Sequence, residues 1–347
     1  MTEIKVPGKL YISGEYAILE PNRKALIMAV DKFIKFNITP SEHFGRLKTF
    51  SGFETKWIRK SKITFDIYDK RLNLLKSAIE VTESFLVEKG YKPQYFDMDI
   101  ITELERGGKK YGFGSSAAVV VGTVKSILKL YGYNLDRTRI FKLAAISSIL
   151  VNPKGSCGDI AASAYGGIIE FTSFSRKDIL ERLKSEKISD LVESDWNYLN
   201  ISEIEINSII NFIIVWSKSV ALTDQLINKE QVKSFSYEDF LVCSDETVEV
   251  IRKSYNKEDI ETLISSIRNN RKNLKSFAKS RDIILETEEL KRFCDLIENY
   301  GGGAKTSGAG GGDCAIGVVK NFSDSLKYEI IKTGVEILDV KIWRENE

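Results

Sequence analysis

The sequence predicts an α+β chain in two halves, and three observations carry that prediction. Strand-like segments dominate the first hundred residues and return near the C-terminus, while apolar helices occupy much of the rest. Strands and helices alternate without the regular βαβ rhythm of a doubly wound sheet. A polar, irregular stretch over 176–200 interrupts a chain of 347 residues, which is too long for one ordinary core. The halves are therefore expected at 1–190 and 191–347.

Element by element, Ile4 to Ser13, Ala25 to Ile38 and Ile63 to Tyr68 are rich in β-branched and aromatic residues and read as strands. Over Leu72 to Glu88 the apolar residues Leu75, Ile79, Phe85 and Leu86 recur at helical spacing, and Gly90 supplies a stop. Tyr95 to Thr102 is a strand, and the charged segment ELERGGKKYGFG leads into a helix from Ser115 to about Tyr131. A second apolar helix runs Arg137 to Val151 and ends at Asn152-Pro153, where proline cannot continue it. A short helix starts near Asp159 and yields at Gly166-Gly167 to the strand Ile168 to Phe171. The second half should hold a strand over 209–216, helices near 237–254, 257–279, 286–299 and 323–334, and a last strand from Val335 to Ile342.

Composition excludes several function classes. Lys plus Arg number 51 against 49 Asp plus Glu, so no bulk field draws the chain to nucleic acid or an anionic membrane. No run of eighteen apolar residues occurs, and a cytoplasmic protein is expected. The four cysteines form no CxxC pair, which points to neither a disulfide framework nor a zinc site. The single histidine, His43, sits in a polar stretch, so catalysis built on histidine is not expected.

Four segments carry chemistry. The run GGGAKTSGAGGG at 301–312 has seven glycines in twelve residues and is followed by the apolar CAIGVV, which a flexible linker would not be. Glycine at that density is entropically expensive, and the commonest need for it is a phosphate cradle of converging backbone N–H groups. GFGSSAA at 112–118 precedes an apolar helix, where Ser115 and Ser116 can cap and the free N–H groups and dipole favour an anion. Gly112, Gly114 and Ala117 also fit a dinucleotide fingerprint, but the long charged lead-in is unlike its tight strand-to-helix turn. No GxxxxGK[ST] loop occurs, and the protein-kinase HRD and DFG motifs are missing. The third segment is KVPGKLYISGEYAILE, with Lys9 just after a Pro-Gly turn. The fourth is GSCGDIAASAYGG at 155–167, where Asp159 at a helix start could simply be an N-cap, while Ser156 and its glycines form a turn facing a ligand.

Together these segments resemble the GHMP kinase family, along the whole chain and in the family's order. PGKLYISGEYAIL looks like its first motif, GFGSSAA like its nucleotide-phosphate loop and KTSGAGGGDCAI like its third motif. The resemblance implies an N-terminal S5-like α/β half with a left-handed crossover, a ferredoxin-like C-terminal half and an active site in the cleft between them. Within the family the segments look closest to bacterial members that phosphorylate phosphomevalonate. Members acting on an alcohol such as mevalonate or homoserine are the alternative, and mevalonate kinases typically show GEH where this chain has Gly14-Glu15-Tyr16. A non-catalytic ligand-binding regulator and a dinucleotide oxidoreductase are further alternatives, and possession of both Lys9 and Asp159 counts against the regulator.

The resemblance also implies roles. Lys9 and Asp159 are catalytic, Lys9 neutralising charge and Asp159 orienting Lys9 and the acceptor or taking a proton. Lys110, Gly112, Gly114, Ser115, Ser116 and Ala117 bind ATP, and Ser116 is a ligand of Mg²⁺. No second protein carboxylate for the metal is identified, because the place where mevalonate kinases carry a glutamate falls at Ser148. Tyr16, Ser156, Lys218, Thr223 and the stretch Ser307, Gly308, Ala309 and Gly310 bind the small-molecule acceptor. Lys109, Lys110, Lys154 and Lys218, each otherwise ordinary solvated surface, could offset the repulsion between two polyanions. A monomer or weak homodimer is expected.

Overall fold

A computed structural model describes residues 2–205, 210–218 and 236–344. The first half opens with β1 (Thr2–Ser13), β2 (Lys24–Ser41), β3 (Gly45–Lys48), β4 (Glu54–Arg59) and β5 (Ile63–Phe65). Then come α1 (Asn73–Glu88), β6 (Tyr95–Thr102), the short hairpin of β7 (Glu105–Arg106) and β8 (Lys109–Lys110), α2 (Ser115–Leu130), α3 (Arg137–Val151) and α4 (Gly158–Tyr165). It closes with β9 (Ile168–Thr172), α5 (Arg176–Arg182), α6 (Ile188–Glu193) and β10 (Asn200–Ile204). The sheet order is β10-β9-β2-β6-β3-β4-β5, with β1 added along β2, and only the β3–β6 pair is parallel. Strand β2 organises it, since its 18 residues pair with β9 at one end and β6 at the other.

In the second half follow β11 (Ile213–Trp216), α7 (Tyr237–Asn256), α8 (Ile260–Ser280), α9 (Glu288–Asn299), β12 (Gly303–Thr306), β13 (Cys314–Val318), α10 (Asp324–Lys332) and β14 (Glu336–Ile337). The antiparallel order β12-β13-β11-β14 is the ferredoxin-like arrangement, with α7, α8 and α9 among the described residues between its first and second strands. The two-half α+β architecture is thus the one expected from the sequence.

Several local expectations change. The polar stretch 176–200 holds α5 and α6, and β10 beyond it pairs with β9 over Asn200–Ile204, so the first half extends past residue 190. Only Glu336 and Ile337 of the expected last strand join the second sheet. The chain then returns to the first half: Asp31 donates to the Lys341 carbonyl at 3.0 Å, Gly167 to that of Trp343 at 2.7 Å, and Trp343 meets Phe33 edge-on. The Pro7-Gly8 pair makes a bulge inside β1 rather than a turn, so Lys9 lies within the strand, paired with Ala29. The charged lead-in at 105–110 is a hairpin turning on Gly107-Gly108, both with positive φ, as a two-residue primed turn requires. Finally, Gly303 and its neighbours Ala304 to Thr306 form a fully buried strand, so the first part of the glycine run packs against α8 and only its later part is loop.

Helix α2 lies across β1 and β2 and carries the loop at its N-terminus, so its seating sets where that loop stands. Its closest approach is at Gly122, where an added Cβ would sit 2.0 Å from the buried ring of Phe36. Alanine at a helix interior gains about 1 kcal/mol over glycine, but overpacking a rigid aromatic contact costs about 1–3 kcal/mol. A 2.0 Å approach calls for the upper part of that cost, so we expect Gly122→Ala to lose about 1–2 kcal/mol net in denaturant unfolding. Unchanged or increased stability would show that α2 is not pressed onto β2 there.

Candidate active site

Helix α2 starts at Ser115 and its N-cap is Gly114, in the left-handed conformation at φ 76° with no side-chain cap. The two serines are therefore first-turn residues rather than caps, and the first N–H groups of α2 are left to an outside acceptor. Helix α4 begins in the same way. Its N-cap is Cys157 at φ 63°, again without a side-chain cap, and Asp159 sits in the first turn. Asp159 is not the N-cap; its Oδ1 accepts only the next amide, that of Ile160, at 3.0 Å. Both helix starts reach one cavity of about 460 Å³.

Lys9 enters the cavity from β1. Its backbone N–H donates to the Phe113 carbonyl at 2.9 Å and its Nζ to the Gly112 carbonyl at 3.4 Å, so strand and glycine loop hold each other. The lysine side chain passes so close to the loop that a Cβ on Gly114 would lie 2.7 Å from Lys9 Cε. Glycine at 114 thus serves both the positive φ and the passage of Lys9. The far wall is the later part of the glycine run, Ser307 to Gly310, followed by Asp313. Ser307 Oγ donates to the Tyr11 carbonyl at 2.9 Å, and the Tyr16 hydroxyl donates to the Ala309 carbonyl.

Of the residues singled out in the sequence, Lys9, Asp159, Lys110, Gly112, Gly114, Ser115, Ser116, Ser307, Gly308, Ala309 and Gly310 line this cavity. Others do not. Ala117 is buried in the core beneath the loop. Tyr16 packs on Phe277 at 4.8 Å between ring centres and supports the wall from behind. Ser156 stands behind the wall too, 3.2 Å from the Tyr11 hydroxyl and accepting from Gly158 N–H. Lys218 is exposed and paired with Glu336 at 3.3 Å, away from the cavity. Thr223 lies outside the described residues. The expected direct contact between Lys9 and Asp159 is not made: neither a hydrogen bond nor an ion pair joins them.

Sequence reading missed three features. Asp313, at φ 56°, brings a second carboxylate to the cavity, pressed so close to Gly112 that a Cβ there would meet its side chain at 2.4 Å. Glu15 and Lys305, both fully buried, form an ion pair behind the glycine wall. An adjoining cavity of about 670 Å³ shares Gly108, Lys110, Ser115 and Ser116 with the first and is walled by Phe50, Phe53, Leu72, Leu74 and Val119. The Gly107-Gly108 dipeptide was the readable signal for the hairpin that separates the two spaces.

Burial, reinforced by the Asp159 charge, pushes the Tyr11 phenol and the Cys157 thiol far above their ordinary values. Both stay neutral at pH 7, so Cys157 is no nucleophile and Tyr11 is available only as a neutral donor or acceptor. A lysine ammonium, two carboxylates and the uncapped N-terminus of α2 around one small space suit the transfer of a phosphoryl group between two polyanions.

This combination of fold and site defines a small-molecule kinase. The GHMP kinases N-terminal domain model matches residues 73–167, the GHMP kinases C-terminal model matches 250–328, and the chain belongs to the GHMP kinase family. It is 27% identical over 340 residues to the phosphomevalonate kinase of Streptomyces sp. (strain CL190), covering 90% of this chain and 88% of that protein. Its structure superposes with a TM-score of 0.87 and 28% identity on Streptococcus pneumoniae phosphomevalonate kinase in complex with phosphomevalonate and AMPPNP, covering 98% of this chain and 99% of that one. The Lin0012 protein from Listeria innocua is 32% identical with a TM-score of 0.91, covering 99% and 98%. Among the described residues no helix is long and apolar enough to cross a membrane.

Because Gly114 gives Lys9 its passage, Gly114→Ala should displace the lysine while leaving the fold intact. We expect phosphoryl transfer to fall about a hundredfold, the scale of a 1 Å misplacement, with a stability loss of only about 1–2 kcal/mol for the left-handed backbone. Wild-type turnover in that variant would separate Lys9 from the chemistry.

Proposed function

We propose that this chain is an ATP-dependent phosphomevalonate kinase, converting (R)-5-phosphomevalonate and ATP to (R)-5-diphosphomevalonate and ADP. The observation that carries the reading is the single cavity onto which α2, α4 and Lys9 converge, in a chain similar over nearly its whole length to proteins of that activity. The adenine enters the adjoining apolar cavity behind Phe50 and Phe53, and the ATP phosphates run over Gly112 to Ser116 onto the α2 N-terminus. The acceptor lies toward Ser307 to Gly310 and the α4 N-terminus. An oxygen of its phosphate attacks the γ-phosphorus, the bond to the β-bridging oxygen breaks, and ADP leaves. The Lys9 ammonium offsets the charge gathered between donor and acceptor.

Magnesium fits this site. It is usually held by one or two carboxylates plus substrate phosphates and water; Ser116, Asp159 and Asp313 offer that kind of donor set, while no group of three or more His, Cys, Asp or Glu among the described residues makes a protein cage. Bound there, it would neutralise phosphate charge. The reading carries with it a cytoplasmic enzyme of small-molecule substrates, working as a monomer or weak homodimer.

The acceptor phosphate has a second ionisation near pH ~6, so at neutral pH its nucleophilic oxygen is largely deprotonated. A general base is then dispensable, and charge neutralisation dominates. Lys9→Met should lower turnover by about 10²–10³-fold with little change in stability; retention of more than about a tenth of the rate would contradict its role. Asp159→Asn keeps an oxygen for the Ile160 amide and should retain measurable activity, with a pH profile following the substrate phosphate. Asp159→Ala loses that contact and should be slower. An alcohol acceptor would instead make Asp159 an obligatory base worth ~10²–10⁴-fold in both variants. A coupled ADP-release assay across phosphomevalonate, mevalonate and homoserine decides the acceptor: turnover chiefly with mevalonate or homoserine would overturn the reading.

A further inference from the structure

On the side of the glycine loop away from the catalytic cavity lies a second, larger one of about 760 Å³, between α8, α9 and the segment joining them. Its walls carry six basic side chains and two acidic ones, in a chain whose net charge is only +2. The positive charge is therefore local rather than a share of a basic surface.

The floor of this cavity sets one buried cation against three carboxylates. Arg271, nearly fully buried, is held by both oxygens of Glu286 at 2.7 and 2.9 Å, by Asp295 at 2.7 Å and by Glu298 at 3.0 Å. That network fixes the wall and leaves the lysines of the rim as the charge a ligand would meet. Lys272, Lys275 and Lys279 follow one face of α8 at three- and four-residue steps, with Lys291 on α9. Only Lys275 has a carboxylate within ion-pair distance among the described residues, Glu286 at 3.8 Å.

Directly behind the lining residue Leu285 stands the active-site loop. The Leu285 carbonyl, in the cavity lining, accepts the Gly311 N–H at 2.9 Å, and a Cβ on Gly310 would lie 2.5 Å from that same oxygen. One aromatic contact and one hydrogen bond add to the link, since Phe277 on α8 packs on Tyr16, whose hydroxyl donates to the Ala309 carbonyl. A ligand pressing on Leu285 therefore bears on the wall that runs from Ser307 to Gly310.

We propose that this cavity is an effector site for a small polyphosphorylated anion, read by Lys272, Lys275, Lys279 and Lys291 and transmitted through Leu285 to the glycine loop. The site does not depend on which acceptor the enzyme uses, because none of its residues lines the catalytic cavity. Such a cluster attracts phosphates through charge and is weakened by salt.

The probe is inorganic tripolyphosphate, titrated calorimetrically into the full chain. The wild type should bind two equivalents, one in the catalytic cavity and one here. Lys272→Glu/Lys279→Glu should bind the second at least about tenfold more weakly, the scale of reversing close charges across an interface, while keeping wild-type kcat and KM in the absence of tripolyphosphate. Lys291→Glu, on a different helix, should weaken the same equivalent. In steady state, tripolyphosphate should change the acceptor KM of the wild type beyond simple competition with ATP, and this component should vanish in the double variant. A wild type that binds one equivalent only, displaced by AMPPNP, overturns the proposal, as does a double variant that retains both.

Discussion

The structure depends on one buried ion pair. Glu15, within the first motif, and Lys305, in β12, stand 290 residues apart in sequence and meet with both side chains removed from solvent. In contact at a protein-like dielectric of ~20 such a pair attracts by about 4 kcal/mol, while desolvating each ion costs several kcal/mol. Net stabilisation is therefore small, and what the pair supplies is registration. It ties β1, which carries Lys9, to the strand that leads into the cavity wall, and Glu15 also accepts the Gly308 N–H at 3.4 Å. Tyr16, next in sequence and held at φ 62°, extends the same tie to Ala309.

Around that tie the backbone is bent out of regular structure where the chemistry needs it. Cys157 and Asp313 both hold positive φ without being glycine, one at the start of α4 and one at the end of the glycine wall. Such residues persist only where packing over-determines them. Here the packing is visible: Cys157 is enclosed by core and Asp313 is pressed on Gly112, its carbonyl accepting Ser217 N–H at 2.9 Å. The outcome is a space whose N–H groups and charges are held in place by the surrounding packing, which is the condition for electrostatic catalysis of phosphoryl transfer.

Much of this was legible in the sequence where local rules decide. Helix α3 and strand β6 fall where periodicity and the Asn152-Pro153 stop put them. The cavity-lining glycines were legible because a phosphate cradle demands missing side chains. Strands β3 and β4 were missed, since GRLK and ETKWIR are short and half polar, and they exist because neighbours pair with them. The return of residues 341–343 to the first sheet and the Glu15–Lys305 pair are long-range events that no window of sequence contains. Tyr16 and Ser156, expected to bind the acceptor, lie outside the cavity lining, because motif membership tells that a residue matters, not whether it touches or braces.

A double-mutant cycle on Glu15→Gln and Lys305→Met, read by denaturant unfolding, tests the central claim most directly. Lys305→Met alone leaves a buried carboxylate uncompensated and should cost about 3–5 kcal/mol. The double variant should be more stable than the sum of the single losses predicts, by at least about 1 kcal/mol, the range of directly coupled neighbours. Losses that add within about 0.5 kcal/mol, as for independent sites, would contradict the claim that this pair registers the two halves.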